Sequence, residues 1–356
     1  MRRRVLHGET FAQPFVTRLG PLAASASVRA RMRIATFLPH VGVFGGVRRF
    51  LELGNEWVAL GHEVTLYHPA GTPAGWLPYS GRVAPLSAAA NESSDLAITA
   101  DPHTYAAFRG HRARHHLYYA VLEGDPGLDA AVADRDVLLA ANSGPLLGTT
   151  RRRAGRAVLD GVGGIRPERF RPDPSRRAAS PLRVLVNGRR SRVKKGTDLV
   201  LRALDGLAGS LPPFEVVLFD TVDAETNRQD PRDGAPLAPH ARFVMNPTQD
   251  ELVALYQSAH VFVAAERKAG WCNTALEALA SGCALVCTRS GTTDFARDGE
   301  TALLAWRHPW FLRRQLRRVL TQPALRERLS AAGPGAAVPW AWPRLAAKLL
   351  DQLPPA

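Results

Sequence analysis

Two stretches of this chain share one layout. Each has a short apolar run, a glycine-bearing turn, and then apolar residues at helical spacing. The first runs through 33–38 (RIATFL) and 39–46 (PHVGVFGG) to Val47, Phe50, Leu51 and Val58, with Gly61 as a stop before the next run, 63–67. The second runs through 182–187 (LRVLVN) and 188–196 (GRRSRVKKG) to Leu199, Val200, Ala203, Leu204 and Leu207. Strand, turn and helix in strict alternation restrict a chain to parallel sheets covered by helices. Further strands are expected at 95–99, 117–121, 137–140, 214–219, 261–265 and 284–288, and further helices at 250–258, 274–281 and around 311–320. Between the two series, 171–181 (RPDPSRRAASP) has prolines and charges without periodicity, which marks a domain boundary. The reading is a 32–175 domain, a 176–335 domain and a C-terminal helix over 336–356 that returns to the first. Residues 1–31 carry six arginines against Glu9, and Arg18 and Gly20 interrupt any apolar signal core. They are expected to be a disordered extension, or to precede a natural start at Met32.

The 356 residues suit two domains, and no apolar run reaches the ~18 residues of a membrane span. Cys272, Cys283 and Cys287 form neither a CxxC pair nor a cluster with histidine. Neither a zinc site nor a disulfide framework is therefore expected, and the cysteine usage fits a reducing cytosol. The net charge of +14 comes almost wholly from arginine, since the only lysines are 194, 195, 268 and 348. Biased genome composition explains that balance as well as nucleic-acid binding does, and neither stacking motifs nor a recognition module accompany it. Nucleic acid is not expected as a partner. The charge does attract diphosphates, and it permits peripheral contact with an anionic membrane face. On the 311–320 helix, Arg313, Arg314, Arg317 and Arg318 oppose Leu312, Leu316, Val319 and Leu320; a solvated face is the default reading and a membrane-facing patch the lesser one.

Three turns can carry chemistry. Gly42-Val-Phe-Gly-Gly46 lets backbone amides at a helix start approach an anion, although a plain tight turn would read the same. From Arg183 to Lys195 there are six bases and no acids, a cluster that repels itself unless an anion sits there. Arg189 supplies a planar fork and Lys195 a point charge, a pair suited to diphosphate. The third turn is 269–277 (AGWCNTALE). There Thr274-x-x-Glu277 has the spacing of a capping box, with Thr274 as N-cap and Glu277 three residues on. The alternative is that free amides around Gly270, Trp271, Cys272, Asn273 and Thr274 face a ligand while Glu277 accepts sugar or ribose hydroxyls.

The stretches VNGRRSRVKKGTDLVLRAL, DELVALYQSAHVFVAAERKAGWCNTALEALASGCALVCT and GTTDFARDGETALL resemble the C-terminal domain of the retaining family 4 glycosyltransferases. FGGVRRFLELGNEWVALGHEVTLY and GIRPERFRPD are similar to that family's first βα unit and domain boundary. The GW-NT-LEA wording and YYAVLEGD resemble its surface-polysaccharide branch, such as rhamnosyl transferases. The resemblance implies a GT-B fold, two Rossmann-like domains facing across a cleft. It implies transfer of a hexosyl or deoxyhexosyl unit, with retention, from a nucleotide diphosphate sugar to a glycan, lipid-linked or small hydroxyl acceptor. It further implies that no cofactor or metal is needed and that the enzyme is cytoplasmic. Arg189 and Lys195 match the basic pair on the donor diphosphate, Gly45 and Gly46 the N-terminal glycine loop, and Glu277 the second glutamate of the E-x7-E signature. The first glutamate is replaced by Ala269, and Glu266 lies three residues too early to take its place without a loop shift. The place of the family's catalytic histidine falls at 100–103, which makes Asp101 and His103 candidates, with His115 and His116 as the other options. A non-catalytic GT-B relative that binds nucleotide or glycan is the alternative that Ala269 raises, and a nucleic-acid binder the one that charge alone raises.

Overall fold

A computed structural model describes residues 30–178, 180–222, 230, 232 and 236–355. The expected extension at 1–31 lies almost entirely outside them. In chain order the first series comprises β1 (Arg33–Phe37), α1 (Gly45–Ala59), β2 (Glu63–His68), β3 (Arg82–Pro85), β4 (Ser93–Thr99), α2 (Tyr105–Gly110), β5 (Arg112–Ala120), α3 (Gly127–Ala133), β6 (Val137–Ala141), α4 (Gly144–Ala154) and β7 (Leu159–Asp160). The second comprises β8 (Leu182–Asn187), α5 (Thr197–Asp205), β9 (Phe214–Asp220), β10 (Ala241–Met245), α6 (Gln249–Ser258), β11 (Val261–Ala264), α7 (Asn273–Ala280), β12 (Ala284–Cys287) and β13 (Ala302–Leu304). Three helices close the chain: α8 (Pro309–Thr321), α9 (Pro323–Ala337) and α10 (Trp342–Asp351).

The strands form two wholly parallel sheets, ordered β3-β2-β1-β4-β5-β6-β7 and β10-β9-β8-β11-β12-β13. The strands β11 (VFVA) and β12 (ALVC) are apolar and buried at every residue because helices cover both faces. The edge strands β3, β7 and β13 span only four, two and three residues, and no residue of β10 is fully buried. They follow the register of their neighbours, which is why periodicity did not mark them. Each sheet reverses its winding once, between β1 and β4 and between β8 and β11. Such reversals open a crevice at the carboxyl ends of the strands, and both basic or glycine-rich turns lie there.

The amphipathic α1 buries Phe50, Leu51, Leu53 and Trp57 against the first sheet. At the far end of the chain, α10 packs on α1 rather than on the second sheet. Trp342, Leu345, Leu349 and Leu350 are buried in the first lobe's core, and Trp57 Nε1 donates to the Ala346 carbonyl at 3.1 Å. The lobes also meet directly in loops. Leu122 and Ala269 form an antiparallel bridge, and the Gly144 amide at the start of α4 donates to both oxygens of Asp294, at 3.0 and 3.1 Å.

Candidate functional site

The turn after β8 carries Arg189 and Lys195 to the crevice of the second lobe. Asn187 Oδ1 accepts the Arg189 amide at 3.1 Å and so shapes the turn. Gly196 closes it at φ +75°, where a Cβ would lie 2.3 Å from the Ala265 carbonyl; only glycine lets the turn approach the end of β11. Both cations have carboxylate partners. Arg189 Nε donates to Asp220 Oδ1 at 3.0 Å, with Nη2 on the Thr221 carbonyl at 3.3 Å. Lys195 Nζ donates to Glu266 Oε1 at 2.7 Å. Arg183 and Arg190 likewise meet Glu215 and Asp198. The argument from self-repulsion is thereby corrected: acids from β9, α5 and the β11 end compensate a run that contains none itself. Uncommitted charge remains, because among the described residues neither Arg192 nor Lys194 has a carboxylate in ion-pair range, and both line the cleft. Burial, together with Lys195 and Arg192, lowers the Lys194 pKa. Burial also pulls on Lys195, but the Glu266 carboxylate prevails and raises it.

The expected capping box at Thr274 does not form. Helix α7 starts at Asn273 with Cys272 as N-cap and no side-chain cap, so Glu277 stands in the second turn. Its carboxylate is buried. Oε2 accepts from the Tyr256 hydroxyl at 2.9 Å, and Oε1 lies 3.7 Å from Arg48 Nη1, which reaches over from α1 of the first lobe. Arg48 also donates to Gln249 at 2.5 Å and lies 5.4 Å from the Trp76 ring centre. Glu277 therefore faces the cleft at a junction of the two lobes.

Ala269, where the signature's first glutamate is absent, is taken up in the bridge to Leu122, and its amide donates to Ser290 Oγ at 2.9 Å. Lys268 just before it adopts φ +60°, unusual for a side-chain-bearing residue. Glu266 nonetheless brings a carboxylate into the cleft. It is 8% exposed and receives the Cys272 thiol at 3.4 Å as well as Lys195. Cys272 is itself buried behind Glu266 and does not line the cavity, so it is a support for that acid rather than a donor contact. Burial above all, and then Glu266, raise its thiol pKa far above the ordinary value. Gly270, Trp271, Asn273 and Thr274 do line the cavity. Gly270 has a packing reason too: a Cβ would lie 2.3 Å from the Val121 carbonyl of the first lobe.

On the first lobe, Phe44 precedes α1 without a side-chain cap, and Gly45 and Gly46 of its first turn line the cleft. A Cβ on Gly46 would meet nothing within 4 Å, and one on Gly45 would lie 3.0 Å from the Asn273 amide nitrogen across the gap. The Phe44 ring lies 5.8 Å from the Arg189 guanidinium carbon. Asp101 lines the cleft and accepts from His103, but the His103 side chain is 83% exposed and outside the lining. His116 is buried against Phe108 within the first lobe, and His115 beside it on β5 does not reach the cleft either. His40, in the β1–α1 turn, is the histidine that lines it among the described residues. The cleft cavity measures about 340 Å³. A neighbouring one of about 620 Å³ shares the wall from Glu266 to Gly270 and extends to Asp294 and Trp306. Arg48, Asp220 and Tyr256 carried no sequence signal, since none belongs to the turns whose spacing can be read, and His40 lies in the 39–46 turn but ahead of the Gly42–Gly46 run that marks it.

Residues 171–335, which span most of the second lobe, match the family described as Glycosyl transferases group 1. No curated protein matches the chain by sequence. Among solved structures, HepE of Anabaena in complex with UDP-glucose is 15% identical, with 90% of this chain and 99% of that one covered and a TM-score of 0.70. Sucrose-phosphate synthase of Thermosynechococcus elongatus is 16% identical over 90% and 98%, TM-score 0.70. A glycosyltransferase of Rickettsia africae is 14% identical over 91% and 98%, TM-score 0.68. At these identities the likeness is one of fold. That fold is GT-B, two Rossmann-like lobes with parallel sheets.

Proposed function

We propose that the chain transfers a sugar from a nucleoside diphosphate donor to a hydroxyl acceptor, in glycan or surface-polysaccharide synthesis. The observation that carries this reading is the convergence of Arg189, Lys195 and the N-termini of α1 and α7 on one interlobe cleft. Departure of the nucleoside diphosphate builds negative charge on its oxygens. Fixed cations and helix-end amides stabilise that charge more than they stabilise the bound donor, and this difference lowers the barrier. Asp220 and Glu266 hold the two cations in place beforehand, so no reorganisation is needed when charge develops. The likeness to HepE makes UDP-glucose the first donor to try.

The reaction is read as retaining. The leaving phosphate accepts the acceptor proton while the acceptor attacks from the face it vacates, and no carboxylate nucleophile is used. Glu277 takes the nucleotide ribose hydroxyls. In the absence of a glutamate at 269, Glu266 supplies the acidic wall beside the donor sugar. His40 and Asp101, on the first lobe, face the region where an acceptor would meet the sugar. The test is donor turnover in Arg189→Ala and Lys195→Ala, each expected to lose on the order of 10²–10³ in kcat/KM. Near wild-type turnover in both would end the proposal. Tight nucleoside diphosphate binding without any turnover in the unaltered protein would favour a non-catalytic relative instead.

A further inference from the structure

Seven large apolar side chains are exposed among the described residues, and four of them cluster beside the start of α8: Val193 at 76%, Trp306 at 75%, Trp310 at 55% and Phe311 at 38%. The Arg307 guanidinium ties the group together by donating to the Val193 carbonyl at 2.7 Å. Trp310 and Phe311 meet edge to face at 4.8 Å. Exposed large aromatics in one place are unusual on a protein surface and mark something to be covered. Helix α8 buries Leu312, Leu316, Val319 and Leu320 against its own lobe, so the aromatics are not part of the core.

The same outward face continues into Arg314, Arg317 and Arg318, all exposed, and α8 contains no acid. The polar partners of these arginines are neutral: Arg317 donates to Ser210 at 3.3 Å and Arg318 to Gln315 at 2.8 Å. Arg314 has none among the described residues. On α5, which packs against α8, Asp198 is already engaged by Arg190, and the exposed Asp205 has no α8 arginine within ion-pair range among the described residues. The face thus presents uncompensated positive charge next to tryptophan and phenylalanine. Water alone satisfies arginines but not the aromatics. A nucleic-acid groove would engage the charge but leave the edge-to-face ring pair without a base-sized slot. A surface that is anionic at its headgroups and apolar just beneath satisfies both.

We infer that this face of the second lobe seats the protein on an anionic lipid bilayer. Trp306, Trp310 and Phe311 enter the headgroup region, and Arg314, Arg317 and Arg318 pair with anionic headgroups. The contact is peripheral, since no helix among the described residues is long and apolar enough to cross a membrane. Trp306 also lines the larger interlobe cavity, so docking here would open that cavity toward the lipid surface, where a lipid-carried hydroxyl acceptor could enter. The inference stands independently of donor chemistry.

Flotation of the full chain with phosphatidylcholine vesicles, with and without phosphatidylglycerol, tests it. Binding is expected only with the anionic lipid, and it should weaken as salt rises. The triple Arg314→Glu, Arg317→Glu, Arg318→Glu variant should bind on the order of 100-fold more weakly. Trp310→Ala with Phe311→Ala should bind on the order of tenfold more weakly, with melting temperature and circular dichroism unchanged. Equal binding to neutral vesicles, or binding that survives both variants, would overturn the proposal. So would a lipid-free dimer that the aromatic variant dissolves, because a second copy of the chain would then be the occupant.

Discussion

Two four-residue segments of the second lobe have one formula, Thr-x-x-Glu, and opposite fates. At Thr248–Glu251 the threonine accepts the Glu251 amide at 3.2 Å and Glu251 returns to the Thr248 amide at 2.8 Å, a complete capping box at the start of α6. At Thr274–Glu277 the helix begins one residue before the threonine, and the glutamate turns inward to Tyr256 and Arg48. The difference lies upstream. Thr248 follows Pro247 at an exposed position and sits at φ −59° and ψ 167°, outside the helical region and suited to capping. Before Thr274, the 266–272 segment is pinned by the Leu122 bridge and the Glu266 contacts, and these bring the helix start forward. A motif that reads as structure in one place is therefore free to serve the cleft in the other.

The contrast can be broken by substitution. Glu277→Gln keeps the shape but removes the charge facing Arg48, and kcat/KM for donor turnover should fall on the order of 10–100-fold. Glu251→Gln, assayed alongside, should leave turnover unchanged. Equal activity in the two variants would erase the distinction. Stability should respond in the opposite sense. Thr248→Ala removes an N-cap and should cost about 1 kcal/mol in urea unfolding, while Thr274→Ala, which caps nothing, should cost less than about 0.5 kcal/mol. The smallest effect is in pH. Hydrogen bonds from the Thr248 amide and hydroxyl hold the Glu251 carboxyl below its ordinary pKa of 4.5. A depressed carboxylate stabilises the fold above its unfolded pKa and loses that contribution as pH falls through the folded value. The gap between melting curves of the wild type and Thr248→Ala should therefore narrow as the pH drops below about 4.5, down to the part due to the non-titrating bond from the Glu251 amide, and a gap that does not narrow would show that the hydroxyl–carboxylate bond contributes nothing.

Much of the architecture was open to reading because it is local. Runs such as VFVA and ALVC are apolar end to end since each strand is covered on both faces, and glycines at 45, 46 and 196 stand where strands turn into helices. These are properties of neighbours along the chain, and spacing records them. The helix start at Asn273 escaped the same reading because contacts with Leu122 and Ser290, far away in sequence, decide it.

By itself, then, the sequence determined alternating βα units in two series, the break between them and the turns at which a ligand would sit. Tertiary structure alone decided which acids restrain Arg189 and Lys195, that Glu266 enters the cleft while Ala269 joins a bridge, and that Arg48 of one lobe meets Glu277 of the other. The physical reason is one of range. Periodicity and turn chemistry act over a few residues, whereas a charge is compensated by whatever the fold brings within about 4 Å, and for Arg48 and Glu277 that partner lies across the interlobe gap.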